Sequence, residues 1–104
     1  MNPKILTQDV QDPIKVVKFG GSSLADAEHF RMVQNIITQE ASRRYVVPSA
    51  PGKRFKEDEK VTDLLYRCNE AAMTDHDITP IFNKIITRYN DIIKDLAQVL
   101  GENN

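Results

Sequence analysis

VVKFGGSSLAD, Val16 to Asp26, is the stretch on which the reading of the fold turns. Ile14 to Phe19 is short, β-branched and apolar on both faces apart from Lys15 and Lys18, which suits a strand buried on both sides in a parallel sheet. Gly20-Gly21 ends that strand, and a helix start follows with Asp26 as N-cap, Ser22 and Ser23 being competitors. A strand that ends in Gly-Gly ahead of a helix gathers backbone N–H groups around a concavity, where the helix dipole favours an anion. Glycine lets backbone approach a phosphate oxygen that a Cβ would block. Ser22 and Ser23 add hydroxyl donors, and Lys18 adds a mobile charge from the strand's end. GGSS also occurs in plain turns, so on the pattern alone a turn and a phosphate loop both stand.

Working outward, Phe30, Val33, Ile37 and Ala41 recur at helical spacing and form one apolar stripe. Tyr45-Val46-Val47 reads as a second strand, stopped by Pro48. Strand, helix and strand within about 35 residues is the size of a βαβ unit with a right-handed crossover. Ser49 to Gly52 is a turn, and KRFKEDEK, residues 53–60, a solvated loop of mixed charge. Val61, Leu64, Leu65, Cys68 and Ala72 make the next stripe. Thr79-Pro80 then opens a long helix, the threonine capping and the proline at the first helical position. Its stripe runs through Ile81, Phe82, Ile85, Tyr89, Ile92, Ile93, Leu96 and Leu100 to a stop at Gly101.

The count is two strands and three helices in 104 residues, an α/β class with few strands. Two parallel strands leave both outer edges unpaired, and helix faces this apolar need more sheet to cover. The chain therefore reads as a piece of a larger α/β domain, prone to self-association. An apolar fraction of 40% and a charged fraction of 28% are ordinary for a globular chain. A net charge of -1 argues against a dedicated nucleic-acid or membrane-surface protein. Residues 1–13 form a polar leader without the apolar core of a signal peptide, which makes the cytoplasm the simplest location. The single cysteine, Cys68, falls on an apolar stripe and excludes a thiolate metal cluster. His29 and His76 read as structural or solvated residues, because neither has metal ligands at face-sharing spacing. Neither G-x-x-x-x-G-K-[ST] nor G-x-G-x-x-G is present.

VVKFGGSSLAD resembles the opening signature of aspartate kinases in the amino-acid kinase superfamily. The likeness continues in order through YVVPSA, residues 45–50, where that family has a V-V-x-S-A segment, and through VTDLL, residues 61–65. It covers residues 14–70 closely and the terminal helix more loosely. The resemblance implies part of a three-layer α/β/α amino-acid kinase fold, with parallel strands and flanking helices and a helix-rich character here. It implies that Lys18 contacts the transferring phosphate, while Phe19, Gly20, Gly21 and Ser22 join it in lining the triphosphate. Ser49 and Thr62 would bind aspartate, and no residue of this chain would ligate a metal. Two departures stand out: PGKRFKEDEKV, residues 51–61, is longer than the connection many members have, and Pro48 and Pro51 replace small or aliphatic residues.

The activity implied is ATP-dependent phosphorylation of the L-aspartate side-chain carboxylate, with Mg²⁺ accompanying the nucleotide. That is the first step towards lysine, threonine and methionine. Positioning and charge neutralisation supply most of such catalysis, which suits a lysine at the γ-phosphate. Residues 14–104 would be the N-terminal part of the catalytic domain, without regulatory ACT domains and inactive in isolation. Expected partners are ATP, L-aspartate and further copies of the chain, with neither nucleic acid nor membrane. Two alternatives remain: a glutamate or acetylglutamate kinase, and a non-catalytic helical interaction module in which GGSS is only a turn.

Overall fold

The computed structural model describes residues 13–101. The expected leader, apart from Pro13, lies outside the described residues, as does the side chain of Leu100. The elements are β1 (Lys15–Phe19), a 3-10 turn (Gly21–Leu24), α1 (Ala27–Thr38), β2 (Arg43–Pro48), α2 (Val61–Met73) and α3 (Thr79–Gly101).

β1 and β2 pair in parallel, with Val16 opposite Tyr45 and Phe19 opposite Pro48, and an irregularity between Lys15 and Val16. The Ser49 amide donates to the Phe19 carbonyl at 2.9 Å, so the pairing runs one residue beyond the strands. α1 makes the crossover. Its N-cap is Asp26, whose carboxylate accepts from the His29 amide at 2.9 Å and from the His29 ring at 2.6 Å. Burial opposes ionisation of Asp26, but those two bonds and the nearby charges outweigh it and lower its pKa. α1 ends at Thr38, so Ala41 falls outside the helix and is exposed. The Arg43 guanidinium donates back to the Ile36 carbonyl in the last turn of α1.

The main core joins α2 to α3. Val61 and Leu64 are each only 1% exposed and pack with Ile85, bordered by Ala50, Cys68 and Ile81. Leu24, Ala25 and Ala27 are also buried, as are Val33 of α1 and Ile92 of α3. The α2 stripe is narrower than its sequence suggests, since Leu65 and Ala72 face solvent. The α3 stripe is narrower too, with Phe82, Tyr89 and Ile93 exposed.

Three expectations need correction. The strands are not buried on both faces: Val16 is 68% exposed and Tyr45 61%. A two-stranded sheet with one crossover helix has too little protein to cover both faces, so the β-branched composition marks surfaces that the described residues leave open. Thr79 is not the α3 cap but its first helical residue, because the Ile78 carbonyl accepts the first helical bond, from the Phe82 amide at 2.8 Å. The Asp77 carboxylate accepts from the Thr79 amide at 3.0 Å. That bond is the main reason the Asp77 pKa is lowered. Residues 53–60 are not simply a solvated loop either, since they contain Asp58, whose side chain is 8% exposed between two arginines.

Candidate functional site

A cleft of about 440 Å³ opens beside the C-terminal end of the sheet, the end at which open α/β folds place their ligands. Three segments wall it. The glycine turn contributes Gly21 and Ser22, the loop after β2 contributes Ser49 to Lys53, and the start of α2 contributes Lys60 and Thr62. The lining thus carries three hydroxyls and two lysines and has no acidic side chain. Two helical starts also face this region. Gly20 and Lys60 occupy the N-cap positions of the 3-10 turn and of α2, and neither helical start has a side-chain cap bond. At α2 the first amide, Val61, is taken by the Pro51 carbonyl at 3.0 Å, and with no side-chain cap the dipole and the next amides remain for an external acceptor. The donor set therefore suits an oxyanion such as phosphate or carboxylate.

The two walls nearest the sheet are joined by glycine against glycine. The Gly52 amide donates to the Gly21 carbonyl at 2.8 Å. A Cβ on Gly52 would lie 2.6 Å from the Gly21 carbonyl carbon and 2.9 Å from the Ser22 nitrogen, so only glycine permits this approach. A Cβ on Gly21 would lie 3.1 Å from the Ala50 oxygen. At Gly20, by contrast, a Cβ would meet no protein atom within 4 Å. The glycine pair thus has two jobs: Gly21 allows loop to meet loop, and Gly20 leaves open space.

Behind the cleft sits Arg88 of α3, only 4% exposed. Its guanidinium donates to the carbonyls of Gly52 at 2.7 Å, Glu59 at 2.8 Å and Ala25 at 3.1 Å. Asp58 lies 3.5 Å away as a counter-charge. Asp58 also takes bonds from the Arg54 amide at 3.0 Å and from the Arg54 guanidinium at 2.6 and 3.0 Å. The side-chain bond to Arg54 is the main cause that holds the Asp58 carboxyl well below its ordinary pKa. Desolvation, with repulsion from Arg54, lowers the Arg88 pKa. A second cleft, of about 380 Å³, opens on this network, but its Arg54, Asp58, Glu59 and Lys84 pair with one another.

Of the residues singled out from the sequence, Gly21, Ser22, Ser49 and Thr62 meet in the one cleft although they come from three separate segments. Lys18, Phe19 and Gly20 are not in its lining. Lys18 is an exposed residue of β1 opposite Val47, two positions before Gly20. Lys53 and Lys60, at the two ends of the charged loop, and Arg88 join the site without being marked by any sequence motif. One signal for Arg88 was available: it lies three residues after Ile85 and four before Ile92, on the buried stripe of α3. His29 is held by Asp26, and the His76 ring lies 2.8 Å from the Thr74 hydroxyl.

Comparison with known proteins bears on this geometry. No protein-family profile matches the chain. It is 43% identical to aspartokinase 3 of Bacillus subtilis (strain 168) over 83 residues, which is 80% of this chain and 18% of that protein. It is 35% identical over 81 residues to the bifunctional aspartokinase/homoserine dehydrogenase of Buchnera aphidicola subsp. Acyrthosiphon pisum (strain APS), covering 76% of this chain and 10% of that protein. Among solved structures, the aspartate kinase of Clostridium acetobutylicum superposes with a TM-score of 0.75 at 48% identity, over 78% of this chain and 19% of that one. The parallel strands, crossover helix and flanking helices are thus part of the amino-acid kinase fold. Within that fold the chain is an aspartokinase homologue, and it spans less than a fifth of the length of each of these relatives.

Proposed function

We propose that this chain supplies the phosphate-binding segment of an aspartate kinase, in which ATP phosphorylates the side-chain carboxylate of L-aspartate. The observation that carries the reading is the cleft between the glycine turn and the start of α2, lined by three hydroxyls and two lysines with no acid. Both substrates are anions, and both match that donor set. Gly20, Gly21 and Ser22 lie along the triphosphate, with Phe19 as the residue that leads the strand into the turn. Lys18 reaches the transferring phosphate from the strand end and offsets its charge. Ser49 and Thr62 hold the aspartate. Among the described residues the cleft lining has no carboxylate, so Mg²⁺ would be held by the nucleotide phosphates, whose charge it would neutralise. These residues bind and orient, which is most of what phosphoryl transfer asks of a protein.

The reaction needs the rest of a catalytic domain, since the relatives are several times longer than this chain. Uncovered strands and the exposed Phe82, Ile86 and Ile93 of α3 fit a segment that packs against further protein, whether the same polypeptide or a second copy. No helix among the described residues is long and apolar enough to cross a membrane. The cytoplasm, where ATP and L-aspartate meet, is the setting this reaction requires.

A segment exchange tests the proposal. The matching segment of Bacillus subtilis aspartokinase 3 is replaced by this chain, and aspartyl hydroxamate formation from ATP and L-aspartate is measured. The expected result is activity within about tenfold of the parent, a gap of about 1.4 kcal/mol, lost on Lys18→Ala and absent with L-glutamate. A folded chimera without activity, or one indifferent to Lys18→Ala, would refute the assignment.

A further inference from the structure

The three walls of the cleft come from distant parts of the sequence, yet one side chain touches the backbone behind all three. Ala25 follows the glycine turn, Gly52 centres the loop after β2, and Glu59 immediately precedes Lys60 and α2. Arg88 donates a hydrogen bond to the carbonyl of each. We infer that Arg88 is a positioning residue for the cleft: its guanidinium sets the spacing of the three walls and thereby the fit of the bound anion. The inference rests on the phosphate role proposed above.

Stability alone is a poor reason for an arginine here. Burying a guanidinium costs several kcal/mol, and an apolar side chain of similar volume avoids that cost. The Nε of Arg88 is buried with no partner, so the site tolerates an unmet donor as well. What only a guanidinium provides is a rigid planar fork that holds several acceptors in fixed relation. Lysine would bring the charge without that geometry. Arg88 is also nearly buried and is not among the residues that line this cleft, so it acts through the backbone it holds. The Gly52 amide, bonded to Gly21, and the Val61 amide, bonded to the Pro51 carbonyl at 3.0 Å, report directly on whether the walls stay in place.

The test compares the full chain with Arg88→Met and Arg88→Lys by amide hydrogen exchange and by MgATP affinity. In Arg88→Met, exchange at Gly52 and Val61 is expected to speed up at least tenfold relative to the α3 amides, and MgATP affinity to fall at least tenfold. Arg88→Lys is expected to fall between Arg88→Met and wild type on both readouts, and it carries the test if Arg88→Met does not fold. Faster exchange with unchanged affinity would reduce Arg88 to a structural residue and overturn the inference. Unchanged exchange would overturn it as well. Wild-type chain that binds no MgATP would instead defeat the phosphate reading on which the inference rests, and the positioning role with it.

Discussion

Alanine substitutions at Gly20, Gly21 and Gly52 separate loop packing from ligand contact. At Gly52 the new methyl would lie 2.6 Å from the Gly21 carbonyl carbon, 2.8 Å from its oxygen and 2.9 Å from the Ser22 nitrogen, all of them backbone atoms that cannot rotate away. Ordinary contact needs nearly 1 Å more, so the two loops must part. Overpacking of that kind costs about 1–3 kcal/mol, and loss of the Gly52–Gly21 hydrogen bond about 1 kcal/mol more. A total of about 3 kcal/mol corresponds to a fall of roughly 12–24 °C in Tm for a domain of this size. At Gly21 the tightest contact would be 3.1 Å, which a small shift relieves, so about 1 kcal/mol is expected. At Gly20 nothing is met and the backbone is extended, with φ of -76°, so stability should change by less than about 0.5 kcal/mol. Thermal unfolding followed by circular dichroism gives the ranking, and MgATP titration of the same variants gives the second axis. Gly20→Ala is expected to lower affinity without lowering Tm, because the space it fills is open to ligand. If Gly20→Ala cost the most stability, or Gly52→Ala cost none, the clasp between the two loops would be wrong.

Acid should weaken the fold through Asp58. Its carboxyl is held below the ordinary 3.8, so its stabilisation is complete above about pH 4 and drains away as pH falls through the lowered value. Asp58→Asn should cost about 2 kcal/mol at pH 7 and flatten that acid limb, as urea midpoints at several pH values would show. Asp26→Ala removes the α1 cap and should cost about 1 kcal/mol, measured by the same unfolding assay. Lys53→Ala and Lys60→Ala should each weaken MgATP binding about fivefold at low salt and less at high salt, since both lysines are exposed in the cleft.

The parts of this structure governed by neighbours in sequence were legible from it. The β-branched run before Gly20, the Asp26 cap and the α1 stripe through Phe30 and Val33 each rest on contacts a few residues apart, and the parallel pairing follows from strand, helix and strand. The Thr79 cap failed because the helix already begins at Thr79: the Ile78 carbonyl takes the first helical bond, from the Phe82 amide, and the Asp77 carboxylate holds the Thr79 amide. What the sequence hid is long-range. The meeting of Gly21 with Gly52 depends on where the chain returns after β2, and no local pattern marks it. Arg88 was hidden by its type: an arginine on an apolar stripe is easily read as a surface residue, although its carbonyl partners lie 29, 36 and 63 residues away. The charged loop misled for a similar reason, because net composition does not show that Asp58 turns inward between Arg54 and Arg88. At the site, hydroxyls and glycines were recognisable, but Lys53 and Lys60 join them only once α2 is placed against the glycine turn.

The claim that the cleft receives the phosphates of ATP is tested most directly by an acyl-phosphate derivative of ATP, which acylates lysines lying against the nucleotide phosphates. Mass spectrometry of the labelled chain should find the acyl group on Lys53, Lys60 and Lys18, with labelling suppressed by excess MgATP. Labelling spread over Lys15, Lys56, Lys84 and Lys94, unaffected by MgATP, would contradict it.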